Sequence, residues 1–454
     1  MVEVLQKPWR RFQTKAVGDG TKRKQNSFSI VKSRYYFTLS CIIAMREISE
    51  GNFVKEGGQG PKRPSFLYTI SVFLGLVSKE LVDGRIVSDV MNRSIIKSIL
   101  VDKDEIIDCY DIYKQPSLNH HLLRNHTIQV KPSMSPTNMK LDNFGTLQIT
   151  QAWHKYGKCP QGTIPIRRNI KDSRSILSHK YRRQKFSHYK MPSTVHSNGD
   201  RSGRDKSGHE YAVIRVFGNF LGAQAKINLW NPVVETPLEI SVSQIWVVAG
   251  ENDDINTIEA GWEVSENIYG DNQTRFFILW TPDDYKTGCY NLMCEGFVHT
   301  SSNIAIGCTF TELSAFKGDQ KDATFSIHKD QNSGNWWVQV QGIPVGYYPS
   351  SLFTQLSKTA TEVDFGGEIF NQRWKNRHTT TQMGSGHFPS EGGLGISSYF
   401  NYVQVVDENN EARDPKDVMT VVSKPNCYDL KIDEKHKNGY GFYYGGPGNN
   451  ENCQ

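Results

Sequence analysis

The sequence predicts an all-β protein, an antiparallel β-sandwich or jelly roll with a small β-rich domain in front, and three observations point there. From residue 208 onward, short apolar runs recur between clusters of Gly, Asn, Asp and Pro, the spacing of strands and turns in a sandwich. Helical periodicity is scarce, and only 351–359 reads as a helical turn. Gly, Tyr, Phe and Trp are frequent, and mean hydropathy is −0.53. With 454 residues the chain has room for two or three domains, one with a large core.

The elements follow in order. Residues 1–84 form a leader of poorly ordered composition. Its apolar run at 35–45 is too short to span a bilayer. The run at 66–77 follows Lys62, Arg63 and Pro64, the pattern of a secretory signal, and the expectation is that translation starts near it, at Met45. Residues 85–168 have the character of a compact module, with strands expected at 106–112 and 125–132 and a turn at Gln115-Pro116-Ser117. A bridge between Cys109 and Cys159 would staple a unit too small to hold itself well. Residues 169–207 are rich in Arg, Lys, Ser and His without apolar period, a basic linker where a protease would cut. Strands of the large domain, 208–454, are expected at 209–218, 223–230, 238–248, 274–280, 324–328 and 335–341.

The formal charge of +6 is concentrated before about residue 210, and no nucleic-acid-binding signature accompanies it. None of the eight cysteines shows paired zinc-ligand spacing. Cys289 and Cys294 bracket four residues, which suits a small disulfide loop or a hairpin, and a Cys427–Cys453 bridge would pin the tail to the sheet. Together with the sequons at Asn92, Asn125 and Asn272, the cysteines favour an oxidising, secreted setting.

Two acids stand inside apolar strand-like runs, Glu259 between Ile258 and Ala260 and Glu368 between Gly367 and Ile369. A buried acid is costly unless something uses or pairs it. The central expectation is that the two carboxyls face each other and share a proton. Read from the residues alone, Glu259 could instead pair with Arg275, and Glu368 could be an edge-strand charge that discourages aggregation. Glu362, Asp364 and Glu391 are rival acids, and His378 and His387 read as polar loop residues because no nucleophile elbow or HExxH is present. Trp262, Trp336, Trp337, Tyr347, Tyr348 and Phe388 each read singly as core, and as a group they could line a peptide groove.

The block CPQGTIPIRR at 159–168 and a long C-terminal series give these residues a context. That series runs through INLWNP (227–232), SQIW (243–246), IEAGW (258–262), GCYNL (288–292), GGE (366–368), TQMGSGHFP (381–389) and YYGGPG (443–448). From about residue 90 to its end the sequence resembles the plant neprosin family, secreted prolyl endopeptidases of the glutamic class made as zymogens. The resemblance implies a catalytic β-sandwich whose cleft is covered by an N-terminal activation domain until autolysis at low pH. It places the catalytic pair on Glu259 and Glu368. Gln244 and Gln382 become candidates for polarising the scissile carbonyl, and Trp262, Trp337, Tyr348 and Phe388 for a proline slot. Asn125 and Asn272 become glycosylation sites, no metal or cofactor is implied, and the partners are proline-containing peptides and the chain's own activation domain, with a monomeric protein and no membrane span. Residues 1–84 match nothing in the family, and Cys41 and Cys308 are left without partners. A carbohydrate-active sandwich, or a non-catalytic cell-wall-binding one, is the competing expectation.

Overall fold

A computed structural model describes residues 94–102, 105–140, 151–169, 208–372, 377–433 and 439–454, all within the unit Val82–Gln454. The run at 66–77, Asn92, Cys41 and all of the basic linker except Asn169 lie outside them. Three strands form the small sheet, β1 (Ile95–Asp102), β2 (Glu105–Asp111) and β3 (Thr163–Asn169), in that spatial order. The large domain continues with β4 (His209–Phe220), β5 (Gly222–Asn228), β6 (Ile240–Ala249), β7 (Asn256–Val264), β8 (Arg275–Thr281), β9 (Cys289–Tyr290) and β10 (Val298–His299). There follow β11 (Asp322–Lys329), β12 (Trp336–Val340), β13 (Ile343–Tyr348), β14 (Ala360–Phe370) and β15 (Ser398–Val406). The tail adds β16 (Ala412–Arg413), β17 (Met419–Val422), β18 (Asp429–Ile432) and β19 (Phe442–Gly445).

These strands make two antiparallel sheets. The first runs β17-β4-β14-β6-β7-β8-β9, and the second β10-β13-β12-β11-β5-β15-β19-β18 with β16 beside β15. Ile214, Ile245, Ala260 and Phe365 of the first sheet share one core with Ala225, Phe325, Val338 and Phe400 of the second. The middle strands β6 and β7 are buried along their whole length. Both faces of these strands are covered, so even their polar residues, among them Ser243, Gln244, Thr257 and Glu259, are buried.

The three disulfides Cys109–Cys159, Cys289–Cys294 and Cys427–Cys453 are present, and Cys308 is a buried free thiol that burial pushes up to about 12. Trp153, Ile99 and Ile107 pack with Ala305 and Cys308, so the small sheet shares a core with the large domain. Cys159→Ser should cost this module about 2–4 kcal/mol. Hydrogen exchange over 94–169 in the full chain measures the loss, and unchanged protection would refute it.

The expected strand at 125–132 is absent. Residues 112–140 instead cross the outer face of the second sheet as an irregular strap held by side chains. Gln115 Nε2 donates to His299 O (3.0 Å), the Gln129 and Ser133 N–H groups donate to Tyr347 Oη (3.0 Å) and Asp330 Oδ2 (2.7 Å), and Thr137 N donates to Asn410 O (2.9 Å). Leu123 fills the space beside Trp337 and Tyr347. Thr137, bridged to Glu411, joins the edge of the sheet, and of the apolar residues in 125–132 Ile128 packs beside Trp337 while Val130 is exposed.

Candidate active site

The site follows from strand register. Side chains alternate across a strand, so residues paired across neighbouring strands share a face. Gly366 of β14 pairs with Gln244 of β6, which pairs with Gly261 of β7. Two residues away on that face, Glu368 pairs with Val242, and in the opposite direction Trp246 pairs with Glu259. Glu368 and Glu259 therefore stand on one face, the outer one, diagonally across Gln244. The two glycines form a bare floor beside Gln244. A Cβ at Gly261 would lie 2.1 Å from Ser243 O, and one at Gly366, where φ is +152°, would lie 2.3 Å from Ala212 O.

Each carboxyl has its own surroundings. Glu259 Oε1 accepts from Tyr285 Oη (2.7 Å) and Thr257 Oγ1 (2.8 Å). Tyr285 and its neighbour Asp284 both have positive φ (56° and 54°), a strained turn that Tyr285 N ties to Thr281 Oγ1 at 2.9 Å. Burial pushes the Glu259 carboxyl up to about 8. The nearby Glu368 adds to the rise, and the hydrogen bonds from Tyr285, Thr257 and Gln244 oppose it. Glu368 Oε1 meets His209 Nδ1 at 2.5 Å, and its Oε2 accepts from Gln244 Nε2 at 3.4 Å. Gln244 Oε1 is buried with no hydrogen-bond partner among the described residues, while the Nε2 of the same amide faces the carboxyls.

The other acids are placed elsewhere. Arg215 holds both Asp364 (2.6 Å) and Glu362 (2.8 Å), and burial pushes Glu362 up to about 7. Glu391 accepts from Phe388 N and closes a short turn. Arg275 binds Glu105, Asp271 and Gly307 O and leaves Glu259 alone, while Glu368 lies on an interior strand of the sheet.

Of the residues expected to bind substrate, only Gln244 lies between the carboxyls. Trp262 is in the inter-sheet core, its Nε1 donating to Asn228 O at 2.9 Å. It stands three positions from Glu259 in one strand, and odd spacing puts the two on opposite faces. Tyr348 is also core, against Phe297. Trp337 lies under the strap on the second sheet beside Tyr347. Gln382 is tied to the backbone of Val233, and Phe388 opens the turn of Glu391. Aromatics on the carboxyl face include Tyr211, paired with Glu368, Trp246, paired with Glu259, and Phe277, paired with Gly261. Sequence reasoning missed these three, with His209, Thr257 and Tyr285. Strand alternation from each glutamate could have found Thr257. The rest depend on strand pairing or on a loop folding back, which no local pattern reveals. Asn125 and Asn272 are exposed. Among the described residues the one His/Cys grouping near enough to share an ion is His378 with Cys427 and Cys453, whose sulfurs are already joined.

Where the small sheet meets the large domain, Glu105, Arg167 and Arg275 form an ion cluster largely closed to solvent, with the part-exposed Asp271 at its edge. Glu105 Oε2 accepts from Arg167 Nε (3.0 Å) and Arg275 Nη1 (3.1 Å), and Arg275 Nη2 meets Asp271 at 2.6 Å. The Tyr269 ring lies 5.5 Å from the Arg167 guanidinium and 5.1 Å from that of Arg275.

Comparison with known proteins gives two family matches. Residues 237–447 match the family described as Neprosin, and residues 98–215 the one described as Neprosin activation peptide. Among solved structures the chain is similar to a scytalido-glutamic peptidase with a peptide-based transition-state analog. Identity is 10%, the match covers 52% of this chain and 97% of that one, and the TM-score is 0.29. It is also similar to SCP-B, a member of the Eqolisin family of peptidases, in complex with the tripeptide Ala-Ile-His. There identity is 9%, coverage 52% and 96%, and the TM-score 0.27.

Proposed function

Because this chain belongs to the neprosin family, with an activation peptide ahead of a peptidase domain, we propose that it is the zymogen of a secreted glutamic endopeptidase that cleaves beside proline in acid. The observation that carries this reading is the placing of Glu259 and Glu368 on one face, diagonally across Gln244. Amide hydrolysis needs a base to take a proton from water and an acid to protonate the leaving nitrogen. Two neighbouring carboxyls divide those tasks, since the charge of one disfavours the charge of the other. The Gln244 amide orients water or carbonyl between them.

Proline preference draws support from Tyr211 and Trp246 on that face, because a proline ring is a flat apolar plate without an N–H. The three disulfides favour the secretory route. No helix among the described residues is long and apolar enough to cross a membrane.

The test is to incubate acid-treated protein with a proline-containing peptide, its alanine counterpart and a cell-wall glucan. Cleavage of the first peptide alone is expected. Equal cleavage of both peptides would remove the proline preference, and glucan hydrolysis without peptide cleavage would remove the peptidase. Tyr285→Phe deletes a donor that favours charged Glu259, so the alkaline limb of the rate profile should move to higher pH. An unmoved limb would show that Glu259 does not control it.

A further inference from the structure

We propose that His209 is the positioning residue that makes Glu368 the charged member of the pair, so that Glu368 is the base for water and Glu259 the acid for the leaving nitrogen. This deepens the peptidase reading above and rests on it. The partners of the two carboxyls are unlike. Glu259 is hydrogen-bonded to the hydroxyls of Tyr285 and Thr257, groups that carry no positive charge. Glu368 has an imidazole at 2.5 Å, and both side chains are nearly closed to solvent, at 1% exposure for His209 and 8% for Glu368. An imidazolium against a carboxylate favours charge on that carboxylate, and in the interior the attraction is little screened.

The groups facing Glu368 come from each neighbouring element. They are His209 on β4, Tyr211 on the same strand and directly opposite Glu368, the neutral Gln244 on β6, Glu259 on β7 and Tyr285 from the loop after β8. On its own strand Asp364 is occupied by Arg215. Among these, His209 alone can bring a positive charge. Its ring is fixed by Phe370 (centroids 5.0 Å apart) and Tyr211 (6.4 Å).

The steps balance. Water gives a proton to Glu368 as its oxygen bonds the carbonyl carbon. The C–N bond then breaks, its electron pair stays on nitrogen, and Glu259 supplies the proton that neutralises the amine. Glu368 returns its proton to Glu259 through the site, and no other reagent is consumed. His209 also opens β4 directly after the basic linker, behind Gly208, whose carbonyl accepts from Asn371 N at 2.7 Å. An activation cut must therefore fall before residue 209.

The experiment has two arms. In the first, activated wild type and His209→Gln are compared across pH. The variant should lose about 100-fold in kcat with KM nearly unchanged, and its acid limb should move to higher pH. Added imidazole should restore part of the rate to His209→Gly. A loss uniform across pH, or no loss, overturns the proposal. In the second arm, histidine rings are titrated by NMR in the full chain with native His209. Glu368→Gln should move the titration of one imidazole, the one missing in His209→Gln, to lower pH. If wild type cleaves peptides but no imidazole moves, the peptidase reading stands and this proposal falls. If wild type cleaves nothing, the base assignment falls with the peptidase reading even where the imidazole moves.

Discussion

Glu259→Gln is expected to reduce peptide cleavage about 1000-fold and to make the folded chain more stable at neutral pH. Amide and carboxylic acid have nearly the same shape, so the Tyr285 and Thr257 contacts can persist while the proton to be donated is gone. The stability effect follows from burial. In the folded chain burial lets Glu259 keep its proton up to about 8, against an ordinary value of 4.5. The unfolded chain therefore loses that proton first, and rising pH between those values favours unfolding. At pH 7 the buried acid costs at most about 3 kcal/mol, and below the lower value it costs nothing. Glutamine carries no such cost. Melting curves should thus separate the variant from wild type at pH 7 and superimpose near pH 4. Glu368→Gln should abolish cleavage as well. Full activity in either variant would end the two-carboxyl reading, and a pH-independent stability difference would end the burial argument.

Glu105→Gln should release the activation region under less acid conditions than wild type. Its carboxylate is shared by Arg167 of the small sheet and Arg275 of β8, and neither guanidinium can shed its charge. Without the Glu105 charge, Arg167 and Arg275 keep only Asp271, at the edge of the cluster, to offset their repulsion. Removing one partner of a buried ion pair costs about 3–5 kcal/mol. The mass of the protein after incubation at a series of pH values should show loss of the activation region shifted about one pH unit or more toward neutral. Release at the wild-type pH would mean that the cluster is not the latch.

The contrast between what the residues disclosed and what they concealed has a physical cause. Strands such as β4, β6, β8 and β11 were legible because each carries its own apolar run between turn-forming residues. The two glutamates stood out because an acid inside such a run demands an explanation. Motif resemblance, which no composition argument could replace, joined them into one site. The proline-slot residues Trp262, Trp337, Tyr348 and Phe388 went astray because aromatic character says nothing about which face of which sheet a ring occupies. The strap at 112–140 was read in part as a strand, since a segment docked across a sheet and a strand paired within one can share the same alternation. His209 was hidden because its meaning depends on β4 lying beside β14, a contact across most of the large domain.

On the zymogen reading proposed above, the strap bears on how quickly the molecule turns on. A nick between 169 and 208 severs one covalent link, yet residues 112–140 still grip the far sheet from Gln115 to Lys140. A freshly nicked molecule thus carries its own excised piece as a bound subunit, and escape becomes a two-body equilibrium. Onset of activity should show a lag that shortens on dilution, and concentrated stocks should stay quiet longer than dilute ones.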